Sequence, residues 1–247
     1  MPKAPTPRQN QLLAALPAAE FARLAPHLER VSLPYLHVLC ESGMQLRHVY
    51  FPTTSIASLL YVTDSGESSE IAVVGNEGIV GVSLFTGGET TLSRVIVCSA
   101  GDAYRLQGKF LHDEFYRGGA MQSLLLHYTQ ALLTQMAQTL LCTRHHSGDQ
   151  QFCRWLLQLF DRLPSRKLAM TQELIAETLG VRRGGISEIA CNLRKTGLIK
   201  YHRGCITLLD RAGLEARACE CYAVVKKEFD RLLPAEIFSA SHRQGTC

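Results

Sequence analysis

The sequence predicts an α+β protein: an antiparallel sandwich or barrel of short strands, then one long helix, then a compact unit of short helices and a hairpin. Three patterns predict it. Between residues 31 and 106, short apolar runs alternate with turn residues at the spacing of antiparallel strands. Between residues 121 and 140, apolar side chains recur at three- and four-residue steps, the period of a helix. Between residues 171 and 209, two short helical patterns flank a glycine and lead into a hairpin pattern. The chain has 247 residues, 46% hydrophobic and 19% charged, which suits one large or two ordinary packed domains.

Residues 12–28 form one or two short helices with Leu13, Leu16, Phe21 and Leu24 on one side. Strands follow at 31–40, 49–51, 55–62, 70–74, 79–84, 94–98 and 103–106, separated by turn signals such as Glu41-Ser42-Gly43, Asp64-Ser65-Gly66 and Gly75-Asn76-Glu77-Gly78. Near Phe110 the period becomes helical for about 25–30 residues, or roughly 40 Å. That helix has more apolar surface than a small β domain needs. It is expected to pair with its twin as a dimerisation helix, with Met121, Leu125, Tyr128, Leu132 and Met136 in the interface. Residues 145–149 read as a hinge, and a second amphipathic helix over 152–163 carries Trp155, Leu156, Leu159 and Phe160. The expected division is 1–109 for the N-terminal helices and β domain, 110–146 for the long helix and hinge, 147–233 for the C-terminal unit, and 234–247 for a flexible tail.

No apolar run approaches the roughly 18–20 residues that cross a membrane, and the polar, Pro-rich N-terminus has no signal-peptide core. A cytoplasmic protein without a membrane partner is expected. Walker loop, nucleophile elbow and zinc-protease motifs are absent, and the histidines are dispersed without evident partners, so no catalytic residue is assigned. Charge is unevenly spread. Residues 151–209 hold ten Lys and Arg against four Asp and Glu, a net +6, which leaves −2 for the rest of a chain whose total is +4. A basic segment of this kind fits a polyanion.

The basic segment is also where the helical pair lies. Thr171 suits a helix N-cap. Leu174, Ile175 and Leu179 form an apolar face, and Gly180 suits the positive φ of a tight interhelical turn. A second helix over 182–196 buries Ile186, Ile189 and Leu193 and presents Arg182, Arg183, Ser187, Glu188, Asn192 and Lys195. The major groove admits one such helix, read from its N-terminal residues. After Gly197, a hairpin with a basic tip carries Lys200, His202 and Arg203, which suit the phosphate backbone. The pattern is a winged helix-turn-helix. Double-stranded DNA is the expected partner, and the alternative is a ligand-binding β module that serves as a protein-interaction scaffold with a non-functional helix-turn-helix.

The segments Thr171-Gln-Glu-Leu-Ile-Ala-Glu-Thr-Leu-Gly-Val-Arg-Arg183 and Leu193-Arg-Lys-Thr-Gly-Leu-Ile199, with Tyr50-Phe51-Pro52 and Val74-Gly-Asn-Glu-Gly-Ile-Val-Gly81, resemble the family of the cyclic-AMP receptor protein and the fumarate-nitrate regulator (Crp/Fnr). The resemblance implies a cyclic-nucleotide-binding-like jelly roll, a homodimer, a two-fold operator and RNA polymerase as a partner. Arg183 matches the family's guanine-reading arginine, and Thr171 a phosphate-contacting position. Gly184 stands where the family has an acidic residue, and Glu188 holds the second base-reading position, so a different operator is implied. In the sensor, the position of the phosphate-binding arginine falls at Thr91. Arg94, at the start of a strand, is the only cation nearby. A cyclic phosphate would be under-paired there, so cyclic AMP is not expected. Glu89, Thr90, Thr91 and Arg94 are the candidate contacts for another, unknown small-molecule effector, and no cofactor is identified.

Nine cysteines at irregular spacing read as reduced, mostly buried thiols. Residues 1–39 contain none, which disfavours an N-terminal iron-sulfur cluster. Cys142, His145, His146 and Cys153 surround the hinge, and helical spacing brings Cys142 and His146 to one face. Zinc usually takes four ligands and no CxxC pair exists, so no metal site is expected. Cys219 and Cys221, two apart on a last helix over 213–233, point to different faces and read as core or surface thiols, with a thiol switch as the alternative.

Overall fold

The computed structural model describes residues 5–88, 90–163 and 165–233. The predicted tail over 234–247 lies outside the described residues. Two short helices, α1 (Gln11–Ala15) and α2 (Ala18–Leu24), precede seven strands: β1 (Glu29–Leu33), β2 (Val38–Cys40), β3 (His48–Pro52), β4 (Ile56–Val62), β5 (Ser68–Val74), β6 (Arg94–Ser99) and β7 (Gly101–Gln107). They form two antiparallel sheets in the orders β1-β7-β3 and β2-β6-β4-β5, a jelly-roll-type sandwich. A short helix, α3 (Ser83–Thr86), lies between β5 and β6 where the sequence pattern predicts a strand over 79–84.

The helical stretch after β7 is two helices, α4 (Gly108–Tyr116) and α5 (Ala120–His145). They part at Gly118 and Gly119, whose φ values of 79° and 99° suit residues without a Cβ. The first amides of α5 are satisfied from outside: the Glu20 carboxylate accepts from Ala120 N and Met121 N at 3.1 and 2.9 Å. A negative group there also complements the positive end of the helix. Met121, Leu124, Leu125, Tyr128 and Leu132 then pack into the β-domain core.

Only two residues join α5 to α6 (Gly148–Arg162). His146 ends the first helix in extended conformation, and Ser147 caps the second in a reciprocal capping box with Gln150. Eleven of the fifteen residues of α6 are buried. One side meets the outer face of the four-stranded sheet, turned away from the other sheet, at Ile56, Leu60, Val73 and Ile96; the other meets Leu174, Ile175, Ile186 and Leu193 of the C-terminal unit, in one continuous core.

Arg162, on the last turn of α6, fixes this arrangement. Its Nε donates to Glu77 Oε1 at 2.6 Å, Nη1 to Gln158 O at 2.8 Å and Nη2 to Gln135 Oε1 at 3.1 Å. Glu77 also accepts from Gly75 N, and Gln135 donates to Val73 O. The Gly75-Asn76-Glu77-Gly78 turn has a physical reason: a Cβ on Gly75 would stand 2.7 Å from Arg162, and one on Gly78 would stand 2.3 Å from the Tyr128 ring.

Two outcomes are expected. Arg162→Met leaves Glu77 buried without its partner and should cost roughly 3–5 kcal/mol in denaturant unfolding, with part recovered in the Arg162→Met, Glu77→Gln double variant. No recovery would show that the pair is not the source of the loss. Glu70 offers the second. Trp155 Nε1 donates to Glu70 Oε1 at 2.8 Å, while Oε2 is buried with no partner. Burial pushes the carboxyl up from the ordinary 4.5 to about 7. Folding therefore takes up a proton between those values, and stability falls as pH rises through that window, by at most roughly 1.4 kcal/mol per unit. Glu70→Gln should flatten the fall, as read by melting temperature from pH 4.5 to 7.5; an unchanged slope would contradict it.

Candidate nucleic-acid interface

The C-terminal unit contains β8 (Lys167–Ala169), α7 (Gln172–Leu179), α8 (Arg183–Lys195), β9 (Ile199–His202), β10 (Cys205–Leu208), α9 (Arg211–Arg217) and α10 (Glu220–Leu232). Thr171 caps α7, its Oγ1 accepting from Leu174 N at 3.3 Å. Gly180 ends α7 at φ 63°, ψ 29°, and Val181 N turns back to Ala176 O. This turn sets α8 across α7, and Ile186, Ala190 and Leu193 enter the core. Leu174, Ile175, Ala176 and Leu179 complete the buried face.

The solvent side of this pair holds most of the residues singled out from the sequence. Arg182, Gly184, Glu188, Asn192 and Lys195 are exposed along α8 or at its start, and Arg183 is its first residue. A Cβ on Gly184 or Gly185 would meet open space. Ser187 is half-buried, and its hydroxyl donates to Gln172 Oε1 at 2.7 Å, so it faces α7 as well as the front.

Beside α8 stands a three-stranded sheet in the order β8-β10-β9. The sequence pattern shows only the β9–β10 hairpin; β8 is three residues long with a single buried side chain and leaves no periodic signal. Arg203 and Gly204 make the turn with φ of 48° and 73°, the positive pair that a two-residue type I′ hairpin needs. Asn or Asp is favoured at the first of these positions, so an arginine there places a cation at the tip at some backbone cost. Lys200, His202 and Arg203 are exposed. The wing is tied back to the start of α7: Tyr201 Oη donates to Met170 O at 3.0 Å, and Met170 N to Gly204 O at 2.7 Å. Between the wing and α8 lies a groove of about 320 Å³ whose rim includes Thr171, Ser187, Arg194 and Arg203. Arg194 was not singled out from the sequence, because helical spacing set it beside Leu193 with no sign that the wing closes a groove there.

The other expected sites fare differently. Met121, Leu125, Tyr128 and Leu132, expected at a dimer seam, are at most 4% exposed within the single chain, and Met136 is half-buried. Their apolar stripe covers the β domain. The surface stripe is instead Leu126, Leu133 and Leu140, seven residues apart and 52%, 54% and 72% exposed. Of the candidate effector contacts, Glu89 lies outside the described residues. Thr90 bridges to Gln45, and Thr91 Oγ1 shares a hydrogen bond with Ser93 Oγ at 2.8 Å. Arg94 opens β6 and pairs with Glu41 at 3.2 Å. Thr91 and Ser93 edge a cavity of about 180 Å³ walled by Leu46, Leu59, Ile79, Leu132 and Met136, and no Lys or Arg is among its described lining residues.

The cysteine geometry also differs. Cys219 is the extended N-cap of α10 rather than part of a continuous last helix, and Cys221 lies in its first turn. The break lets both thiols turn the same way, toward Cys142 and His146. Cys153 packs in the core around α6, and His145 is exposed.

By architecture the chain is a winged helix-turn-helix protein on a jelly-roll-type β domain. Residues 150–217 match the family described as the Crp-like helix-turn-helix domain. The fold is similar to FixK2 from Bradyrhizobium japonicum, at 15% identity and a TM-score of 0.67, covering 78% of this chain and 98% of that one. It is also similar to a CRP-family transcriptional regulator from Thermus thermophilus, at 18% identity and 0.62, covering 77% and 96%. A third likeness is to the c-di-GMP-responsive global regulator CLP of Xanthomonas campestris, at 14% identity and 0.59, covering 78% and 99%. No curated protein matches the sequence. The family match covers the helix-turn-helix over residues 150–217, and the solved structures of Crp/Fnr-type proteins share the fold of the chain. Among the described residues, no helix is long and apolar enough to cross a membrane.

Proposed function

We propose that the protein binds operator DNA as a homodimer and regulates transcription, α8 entering the major groove and the wing gripping the backbone. The observation that carries this reading is the exposed front of α8 with the basic wing beside it, flanking a groove of about 320 Å³. Arg183, at the first position of the helix, is the guanine reader, and Glu188 and Asn192 follow at successive turns. Arg182, Lys195, Lys200, His202 and Arg203 take phosphates, joined by Arg194. Thr171 helps to hold the start of α7 against the backbone. RNA polymerase is the partner that such a position on DNA implies.

The dimer forms through Leu126, Leu133 and Leu140, a heptad stripe with Thr129, Met136 and Thr143 at the intervening positions. The pairing must set two recognition helices about 34 Å apart. Leu133 and Met136 also line the 180 Å³ cavity, so an effector there would touch the dimer helix directly. The apolar wall suits a largely apolar effector better than a cyclic phosphate.

Selection of bound duplexes from random DNA, followed by salt titration, tests the reading. A two-fold site and a steep fall of affinity with salt are expected; no binding to any duplex at low ionic strength would overturn it. Arg183→Ala should cost about 1–3 kcal/mol and relax preference at one base pair per half-site; an unchanged site preference rejects the assigned role. Leu133→Glu should give folded monomers by sedimentation with weak operator binding, whereas a persistent dimer would move the interface elsewhere.

A further inference from the structure

Three thiols and an imidazole meet where α5 hands over to α6. Cys142 comes from the last turn of α5, His146 from its C-cap, Cys219 from the N-cap of α10 and Cys221 from the first turn of that helix. Their four ligand atoms all lie within 4.8 Å of one another. Cys142 Sγ is 3.4 Å from Cys219 Sγ, and Cys221 Sγ is 3.6 Å from His146 Nδ1. The thiols are 0%, 4% and 0% exposed and form a buried cluster of their own, apart from the larger cores.

We infer that Cys142, His146, Cys219 and Cys221 form a mononuclear site for a thiophilic divalent cation of the zinc class. Tetrahedral Cys₃His coordination, with metal–sulfur near 2.3 Å and metal–nitrogen near 2.0–2.1 Å, sets ligand atoms roughly 3.5–3.8 Å apart. The two measured separations fall close to that range, and the widest needs about an ångström of closure. An iron-sulfur cluster spreads its thiolates over several irons and wants a wider ring.

The surroundings match a metal site in two further ways. His146 Nε2 lies 3.3 Å from Glu220 Oε1, so the carboxylate can hold the ring with Nδ1 free toward the thiols, the usual support for a ligating histidine. Three thiolates around a dication carry one net negative charge, and Arg154 on α6 is the buried cation acting on Cys142 and Cys221. Its Nε has no hydrogen-bond partner, while Nη1 is held by Gln158. Thiols that merely fill a core, as Cys98 and Cys153 do, need neither an imidazole nor its carboxylate. A Cys142–Cys219 disulfide would engage two of the four groups and leave the other two unused. A bound ion would staple the end of α5 to the start of α10 across the two-residue joint.

The test uses the full chain, reduced and stripped of metal, and needs no DNA, so its outcome is independent of the regulator reading. Titration with cobalt(II) should give the visible spectrum of a tetrahedral thiolate complex at one ion per chain, and zinc should displace it. Cys221→Ser and His146→Gln should abolish the spectrum. Glu220→Gln should weaken binding about 10–100-fold, and Cys205→Ser, on β10 and outside the cluster, should leave it intact. If Cys221→Ser does not fold, the His146 and Glu220 variants, at less buried positions, carry the test. Folded, reduced protein that takes up no cobalt, ligand variants that bind as the parent does, or a Cys142–Cys219 disulfide persisting with Cys221 free would each overturn the site.

Discussion

The buried pairing of Arg162 with Glu77 decides where α6 lies, and the two halves of the chain are arranged around that helix. A charge pair withdrawn from water is seldom a net source of stability, but it is intolerant of mismatch. A guanidinium this enclosed has one low-energy place, set by the Glu77 carboxylate, the Gln135 amide and the Gln158 carbonyl. The pair therefore acts as a register pin. It locks the turn after β5 to the end of α6 and, through Gln135, to the inward face of α5. The apolar contacts on either side of α6 then fall into step, from Ile56 and Val73 on one flank to Ile175 and Leu193 on the other.

Much of the C-terminal unit was legible in the sequence because its determinants are local. A capping hydroxyl at Thr171, a left-handed glycine at Gly180 and apolar residues at helical spacing specify α7 and α8 without distant partners. Most strands of the β domain were legible for the same reason. The face of α5 was not. Leu125, Tyr128 and Leu132 form one apolar stripe, and Leu126, Leu133 and Leu140 form another. Periodicity shows that both exist but not which one the β domain takes, and that depends on sheet curvature and on Glu20 anchoring the helix start. The cysteine cluster was hidden by the same kind of gap. Cys142 and Cys219 lie 77 residues apart in the chain, and the break at Cys219 that aims two thiols together carries no pattern of its own.

The β domain shares its fold with the solved structures it resembles, and the described lining of its cavity carries no Lys or Arg. Where a buried phosphate would need a positioned cation, Arg94 is drawn off to Glu41, and Thr91 and Ser93 satisfy each other. The lining that remains is apolar and reaches α5 at Leu132 and Met136. Fold and ligand chemistry are separable in this way because the sandwich is held by its sheets and its core, neither of which needs the pocket to be filled with one kind of group.

The unbroken core has a mechanical implication. Swinging the helix-turn-helix away from the β domain would strip water-shy surface from Ile56, Leu60, Val73 and Ile96 and cut the Ser68–Glu177 hydrogen bond. Close-packed interiors do not stretch by degrees; they exchange one packing for another. Motion between the halves should therefore be a jump between two defined seatings rather than a continuous sway, with the short joint at His146 and Ser147 as its pivot.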